Sequence, residues 1–356
     1  MANILDLRRR IRSVRNTRQI TKAMKMVSAA KLRRAQEHAL AARPYAALLA
    51  SVLNSLRNRL EGYDPSAACR QHPLLVARSE KRVLLVVVSG DKGFAGAFNT
   101  NIIRAATNFI HENDHHLIDI ETVGRKAREH FRRTYGVAEY VDHRNEATGV
   151  IEPKRAPRRS SVEVTGDHPG VLENLSFEHA RKLSAEVARR YAASEIDAVY
   201  VVYNEFKSVI QQRLVVEKLL PILEIGQPVL AAFEEMSREE RERAAQAEAS
   251  AGMKPLAVAD ETEGENFGTE EVDYTYEEDA DQIFNRLLPQ YVASQLYHAM
   301  LESVAAEHAA RMTAMDAASS NASEMIDALT LKMNRVRQAA ITTEIIEIVS
   351  GASAIG

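Results

Sequence analysis

The last 76 residues most constrain the fold of this chain, because residues 281–356 are predicted to form one continuous helix. Their apolar residues recur at alternating spacings of three and four, the pattern of a helix that buries one seam against another helix. This stripe comprises Ile326, Leu329, Met333, Val336 and Ala340. A helix of this length would measure about 110 Å at about 1.5 Å per residue. Part of it must therefore project from any compact domain.

The other end of the chain supplies a partner helix. Two apolar stripes follow each other with a change of phase between them, which is typical of a local change in coiled-coil winding. They comprise Ile4, Leu7, Ile11 and Val14, then Ile20, Met24 and Val27. Few helix breakers occur before Gly62. The sequence therefore predicts an N-terminal helix over residues 1–60 that pairs antiparallel with residues 281–356.

The middle of the chain alternates strands with helices. Residues 83–88 are a continuous β-branched and leucine run, typical of a strand that is buried on both faces. Strand, helix, strand and helix in succession imply parallel pairing through right-handed crossovers. Further strands are predicted at residues 117–123, 197–203 and 213–220. We therefore expect residues 74–225 to form a small α/β domain with a Rossmann-like sheet.

Two stretches interrupt these patterns. Residues 142–171 are rich in proline and arginine and poor in apolar residues, so they are predicted as a surface insertion. Residues 226–278 include an acid-rich run and are predicted as a flexible insertion. The expected fold class is thus α/β with long helices, in which an antiparallel coiled coil of the two terminal helices carries an inserted sheet domain.

Composition narrows the possible function. The single cysteine, Cys69, excludes an internal disulfide and a CxxC site. No window of about 18 apolar residues is present, so we expect a soluble chain or one peripheral to a membrane. The net charge of -3 argues against a general nucleic-acid binder, yet the first 36 residues hold eleven arginines or lysines and one acid, Asp6. This basic segment indicates either a solvated helix face or an acidic partner surface.

No catalytic or metal-binding motif is evident. Gly90, Gly93 and Gly96 follow the first strand, but their spacing matches neither the dinucleotide fingerprint nor the Walker sequence. This pattern favours a tight turn over nucleotide binding. His111 and His115 lie four residues apart, a spacing that metal ligands use, but exposed polar residues are the favoured interpretation. We expect no cofactor and no metal.

Several motifs resemble the gamma-subunit family of the bacterial F-type proton-translocating ATP synthase. Near the start stands Ile-Thr-Lys-Ala-Met-Lys-Met-Val at residues 20–27, and near the end stand Arg-Gln-Ala-Ala-Ile-Thr-Thr-Glu-Ile at 337–345 and Glu-Ile-Val-Ser-Gly-Ala at 347–352. Residues 197–208 and 307–312 also resemble that family. The resemblance covers nearly the whole chain apart from the two insertions.

The resemblance implies a central rotor that is not itself an enzyme. Proton flow would turn a ring of c subunits, and this chain would carry the rotation to catalytic beta subunits, with the reverse during hydrolysis. The implied partners are the ring of three alpha and three beta subunits, the epsilon subunit and the c ring, with one gamma chain per complex. The complex would place the chain at the cytoplasmic face of the bacterial inner membrane as a peripheral subunit.

The resemblance also implies roles for individual residues. Contacts to beta subunits are expected from Met24, Lys25, Arg311, Gln338 and Thr342. A foot near the c ring and the epsilon subunit is expected at Asn204, Glu205, Phe206 and Lys207. An apolar bearing is expected from Ile345, Ile348, Val349, Ala352 and Ile355, because the nearly all-apolar tip must be enclosed.

Two other functions stay open from the sequence. The chain could be a basic coiled-coil adaptor that binds nucleic acid or an acidic scaffold through residues 8–34, which would give steeply salt-dependent binding. It could also be a nucleotide-dependent enzyme built on the α/β domain, which would require saturable nucleotide binding by the chain alone.

Overall fold

The computed structural model describes residues 4–63, 72–144, 151–209, 211–222 and 280–355. The insertion predicted at residues 226–278 lies outside the described residues, as does Cys69.

The described elements confirm the predicted fold class, a long helical pair with an inserted α/β domain. In chain order the helices are α1 (Ile4–Tyr63), α2 (Phe98–Glu112), α3 (Arg125–Thr134), α4 (Phe177–Ala192) and α5 (Ala280–Ile355). The strands are β1 (Arg82–Val88), β2 (Leu117–Val123), β3 (Gly136–Val137), β4 (Tyr140–Arg144), β5 (Ile151–Arg155), β6 (Val162–His168), β7 (Ala198–Phe206) and β8 (Gln212–Leu220).

Helices α1 and α5 run antiparallel along each other. Thr21 Oγ1 lies 2.7 Å from Ser319 Oγ, and far along the same pair Tyr45 Oη lies 3.3 Å from Gln290 Oε1. Leu7, Ile11 and Ile326 of the predicted stripes are buried, whereas Ile20 and Val27 are exposed. Leu32, Met312 and Met315 are further buried apolar side chains of the two helices. The seam buries apolar area along most of α1, which stabilises a pair of helices that would be marginal alone.

The α/β domain is built on a six-stranded sheet with the order β3-β6-β2-β1-β7-β8. All neighbours are parallel except β7 and β8, which pair antiparallel. β1 lies near the centre, where Leu85 pairs with Ile120 of β2 and Tyr200 of β7. The last six of its seven residues are buried, as the apolar run predicts for a strand covered on both faces.

The prediction of a surface insertion over residues 142–171 is wrong for much of that range. β6 is a full strand of the main sheet, paired with β2 on one side and β3 on the other. β5 forms a separate two-stranded hairpin with β4. The charge of Glu163 made β6 resemble an exposed segment in the sequence. In the structure, Glu163 is only 4% exposed and binds Arg155 inside the domain. Charge and proline content therefore hid a strand whose polar side chains are satisfied internally.

The middle of α5 passes through the domain rather than over its surface. Residues 299–307 are all buried, so the helix is covered on every side in that stretch. Ala299, Ala305, Ala306 and Ala309 keep the helix thin enough for α1 and the sheet domain to pack closely on its different sides. Pro289 lies inside α5, and the helix continues through it. The sheet domain and α1 thus cover the middle of α5 on different sides.

Candidate functional site

The loop after β1, residues 89–97, contains the three glycines and is here called the glycine loop. Ser89 Oγ accepts a hydrogen bond from Ala127 N at 2.8 Å, and Asp91 Oδ1 accepts one from Arg125 N at 3.0 Å. These bonds satisfy the free N–H groups at the start of α3. In phosphate-binding folds such a helix start receives an anion. Here the carboxylate of Asp91 already fills that place, so the geometry favours the turn-forming interpretation.

Asp91 also ties the glycine loop to the far side of the sheet. Its Oδ1 atom accepts a second hydrogen bond from Gly170 N at 2.8 Å, in the segment that follows β6. Asn99 completes the loop, since its Oδ1 accepts a bond from Gly90 N at 2.9 Å. The glycine loop therefore joins the carboxyl ends of β1 and β6 with the start of α3.

A groove separates α1 from the glycine loop. Its wall includes Met24, and basic and apolar side chains alternate around it. Phe94 stands at its rim, 74% exposed, with a φ of 61°. A positive φ is costly for a residue other than glycine, and such strain concentrates at functional sites. Met24 is therefore one of the side chains that face this groove.

Among the residues predicted to contact beta subunits, two lie on exposed helix surface. Gln338 and Thr342 are both exposed near the end of α5, and Thr342 Oγ1 donates only to the carbonyl of Gln338 at 2.9 Å. Lys25 pairs with Asp316 across the helical pair at 2.7 Å. Their roles toward a partner stay predictions.

Arg311, also predicted to contact a beta subunit, is largely buried within the chain, and its role toward a partner stays a prediction. Arg311 is only 7% exposed. Its guanidinium forms an ion pair with Glu307, and its Nε donates to the carbonyl of Gly93 at 3.3 Å. These contacts use the guanidinium within the chain. Sequence reasoning missed Glu307, although opposite charges four residues apart in an alanine-rich stretch are a usable signal.

The predicted foot residues lie at the carboxyl end of β7, against α5, and their role toward another subunit stays a prediction. Asn204 and Phe206 are 5% and 6% exposed, so they have almost no surface to offer to another subunit. Phe206 N donates to Glu302 Oε2 at 3.0 Å, which places the end of β7 against α5. This is the sheet edge from which the helical pair continues toward its tip. Glu205 and Lys207 are half-buried at the same edge.

The end of α5 extends beyond α1. The pairing of Thr21 with Ser319 places Ile4 opposite about residue 336, so α5 continues for roughly 30 Å past the first described turn of α1 at about 1.5 Å per residue. Residues 341–350 are all exposed, among them the predicted bearing residues Ile345, Ile348 and Val349. Ala352 and Ile355 continue the helix, and their side chains lie outside what the structure describes.

This projecting end, residues 338–355, is here called the tip. An isolated helix of this length is marginal in water, and exposed isoleucines on it add unfavourable apolar surface. Ile348 is 71% exposed and Ile346 is 57% exposed. The tip therefore has the properties of a helix that is completed by an apolar enclosure.

His308 lies beside Arg311 in the buried part of α5. Burial lowers the pKa of its imidazole from 6.5 to about 4, and the nearby charges of Arg311, Lys31 and Lys92 act in the same direction. Its Nδ1 atom lies 3.2 Å from Arg311 Nη1 and accepts that hydrogen bond when the imidazole is neutral. The folded chain therefore holds His308 unprotonated at neutral pH.

We expect this pKa to make stability depend on pH. As the pH falls from 6.5 toward 4, unfolded His308 binds a proton that the folded chain excludes, so the free energy of unfolding falls by about 3 kcal/mol at most. His308→Gln keeps an acceptor for Arg311 but does not titrate, so its denaturation midpoint will fall less over that range. His115→Gln, at a side chain that is 66% exposed, is the control. Equal pH slopes for His308→Gln and the unsubstituted chain would contradict the assignment.

Two further features of the described residues bear on function. In the described ranges, no helix is long and apolar enough to span a bilayer. Across those same residues, no three histidine, cysteine or acidic side chains converge as ligands for a metal ion, and His111 with His115 gains no third member.

Comparisons with known proteins agree over the whole chain. A family model described as ATP synthase matches residues 3–355. The ATP synthase gamma chain of Solibacter usitatus (strain Ellin6076) is 45% identical over 354 residues, covering 99% of each chain. That of Anaeromyxobacter sp. (strain K) is 42% identical over 357 residues, covering 100% of each.

Solved structures show the same fold. A chain from the central stalk and c ring of the Tetrahymena thermophila mitochondrial ATP synthase superimposes with a TM-score of 0.53 at 23% identity, covering 84% of this chain and 99% of that one. A chain from the OSCP/F1/c-ring structure of the Euglena gracilis mitochondrial enzyme gives 0.55 at 17% identity, covering 99% and 94%.

Proposed function

The chain belongs to the ATP synthase gamma-chain family, and we propose that it is the rotating central shaft of a bacterial ATP synthase. One observation carries this proposal: α1 and α5 form a continuous helical pair that is rooted in the α/β domain and ends in an exposed apolar tip. A stiff rod with a fixed base and an uncovered end suits the transmission of torque. Neither a nucleic-acid adaptor nor a nucleotide-dependent enzyme is favoured by any described feature.

Catalysis, in this proposal, takes place on the beta subunits. The strand-to-helix turn that could receive a nucleotide phosphate is occupied by Asp91, which caps α3 at 3.0 Å. The chain's contribution is mechanical. Its off-axis surfaces push each beta site in turn through states of different nucleotide affinity, and during hydrolysis the same surfaces are pushed in return.

The proposed partners are arranged along the length of the shaft. Three alpha and three beta subunits surround the upper helical pair and its tip, while the epsilon subunit and the c ring bind the α/β domain. The matching Tetrahymena structure comprises a central stalk and a c ring, and the matching Euglena structure an F1 sector with a c ring, which supports this order. The chain is then peripheral to the membrane, and we place it at the cytoplasmic face.

Interactions at the tip must let it turn. Ile345, Ile348 and Val349 present apolar surface, and apolar contact is non-directional. Rotation against an apolar sleeve therefore breaks no fixed set of hydrogen bonds. Directed contacts to beta subunits remain proposed for Met24, Lys25, Gln338 and Thr342, whereas for Arg311 we propose a role within the rotor, because its guanidinium binds Glu307 and Gly93.

Rotation of this chain is the decisive test. A probe is attached to a cysteine at Lys182, whose side chain on α4 is 75% exposed, in a Cys69→Ser background. The chain is assembled with alpha and beta subunits that are fixed to a surface. We expect the probe to turn in one direction when ATP is added, and to stop when it is withdrawn. ATP hydrolysis by the complex while the probe stays still would refute the proposal.

A further inference from the structure

We propose that five polar side chains of α5 lock the shaft at a fixed angle inside the α/β domain and thereby carry torque between them. This inference rests on the proposed function and assigns the residues that perform it. The lock consists of Glu302, Ser303, Glu307, Arg311 and Thr313. All five bind the carboxyl edge of the sheet, at the segments that follow β1 and β7 or at the ends of those strands.

The strongest part of the lock joins α5 to the glycine loop. Glu307 and Arg311 form an ion pair whose side chains are 8% and 9% exposed. The Glu307 carboxylate accepts a bond from the backbone N–H of Lys92, and Arg311 Nε donates to the carbonyl of Gly93 at 3.3 Å. Burial raises the pKa of Glu307, and the guanidinium of Arg311 opposes that effect. The pair thus contacts successive residues of one loop with groups of both charges.

Gly90 shows how closely the two elements fit. A Cβ atom at this position would lie 2.8 Å from the carboxyl group of Glu307 and 3.1 Å from Asn99 Oδ1. No side chain is tolerated there without displacing the lock or the loop. The glycine spacing that resembled a phosphate motif therefore serves, at Gly90, to let an acidic side chain of the shaft approach the loop backbone.

Other members of the lock bind the central strands themselves. Ser303 Oγ donates to the carbonyl of Val88 at 3.4 Å, at the end of β1. Glu302 Oε2 accepts from Phe206 N at 3.0 Å, at the end of β7. Thr313 Oγ1 donates to the carbonyl of Val209 at 3.2 Å, beyond that strand. The shaft is therefore held to two neighbouring parallel strands, on more than one side of its own axis.

Directional bonds are needed here because the surrounding packing gives little resistance to rotation. The buried surface of α5 at this level is largely alanine and other apolar side chains, including Ala305, Ala306 and Ala309. Apolar burial stabilises the contact but is non-directional, so a smooth helix could turn within it. Buried hydrogen bonds and ion pairs depend on geometry and are strengthened by the low local dielectric. These bonds fix the angle of α5 about its own axis relative to the sheet domain.

The force then spreads across the sheet. The glycine loop that Glu307 and Arg311 hold is itself bound to α3 and to Gly170 through Asp91. A twist applied to α5 thus reaches β1, α3 and the β6 end through part-buried hydrogen bonds. At the other extreme, residues 341–350 of the tip are all exposed. The polar contacts proposed to carry torque therefore lie at the domain end of α5.

The test removes the directional bonds while keeping the core filled. The double variant Glu307→Leu, Arg311→Met replaces the ion pair by apolar side chains of similar volume, an exchange that is often neutral or stabilising. Val304→Ala is the control, because it removes buried apolar contact from the same helix and leaves every lock bond in place. Each variant is assembled into the membrane-bound complex and into the probe-carrying complex described above.

Two readouts distinguish a lock from general stability. With the shaft stalled in the alpha and beta ring, we expect the angular variance of the probe on α4 to rise about twofold in the double variant, since two charge-assisted contacts are lost. The ratio of protons pumped to ATP hydrolysed should fall in membrane vesicles. Val304→Ala should lower the melting temperature but leave both readouts at the level of the unsubstituted chain.

Three results overturn the lock. Unchanged angular variance in the double variant does so, and so does an equal change in Val304→Ala. If the double variant does not assemble, Thr313→Val decides, because at nearly constant size it removes the hydroxyl that lies within hydrogen-bond distance of the Val209 and Ala309 carbonyls, and unchanged variance there rejects the inference. Failure of the unsubstituted complex to rotate would instead reject the proposed function and is seen before any variant is made.

Discussion

Replacing Gly124 by alanine is expected to prevent stable folding of the α/β domain. The added Cβ atom would lie 1.9 Å from the carbonyl oxygen of Ser89 and 2.8 Å from its carbonyl carbon, and the residue has a φ of 96°. Both obstacles are backbone atoms at the end of the central strand, so neither can move aside. A loss on the order of 4 kcal/mol or more is exceptional for one substitution and is comparable to the whole stability of many domains.

Gly93→Ala provides the matched control in the same region. A Cβ atom at Gly93 would meet nothing within 4 Å, so the free energy of unfolding should change by about 0.5 kcal/mol or less. Both variants are compared by denaturant unfolding followed by circular dichroism, and by their yield in the assembled complex. Similar midpoints for the two variants would show that the turn between β2 and α3 is packed differently from the structure.

The second large effect is expected from Asp119→Asn. Asp119 is 3% exposed and binds three guanidinium groups, those of Arg155, Arg158 and Arg190. Removing its charge leaves Arg155 and Arg158 with Glu163, and Arg190 with Glu195, as the carboxylates that still bind them. Breaking a buried ion pair by changing one partner costs about 3 to 5 kcal/mol, because the remaining charges stay buried with less compensation.

This substitution also has a local signature. Arg155 is the last residue of β5, so the cluster attaches the β4–β5 hairpin to β2 and β6. We expect amide hydrogen exchange in β5 to accelerate before the rest of the domain is affected. The control is Glu129→Gln, which breaks a surface pair with Lys126 between side chains that are 55% and 38% exposed and should leave stability nearly unchanged. Equal effects of the two substitutions would refute the buried cluster.

The long elements of this fold could be predicted because their patterns are strong and repeat many times. The stripes from Ile4 to Val14 and from Ile326 to Ala340 indicate both helices of the pair, and Leu7, Ile11 and Ile326 are buried where the pattern places them, whereas Ile20 and Val27 of the second N-terminal stripe are exposed. The apolar run of β1 likewise fits burial on both faces. Each of these elements is defined mainly by its own residues.

β6 could not be predicted in the same way, because its character depends on residues far along the chain. From the sequence alone, Glu163 is interpreted as an exposed acid. In the folded chain it accepts hydrogen bonds from Arg155 and from the backbone N–H of Arg159. For the same reason the intrachain contacts of Arg311 could not be predicted, since it resembles a surface cation but binds Glu307 and the carbonyl of Gly93. Periodicity identifies apolar faces, whereas buried polar partners are fixed only by three-dimensional contact.

The burial of the predicted foot residues could not be predicted for a different reason. The polar residues Asn204 and Glu205 follow an apolar strand run, and their composition is that of an exposed strand end. In the structure, the end of β7 is covered by α5, since Glu302 accepts the bond from Phe206 N. Which end of a strand faces the shaft depends on the direction in which the helix crosses the sheet, and no local pattern in the sequence records that direction.

The projection of α5 beyond the start of α1 has a mechanical consequence. Two helices side by side resist bending far more than one, so the elastic compliance of the axle is concentrated in the single helix above residue 336. Eccentric loads from a surrounding ring would deflect this slender segment and leave the alignment of the domain below undisturbed. The chain is thus stiff where the two helices are paired and more easily bent where α5 projects alone.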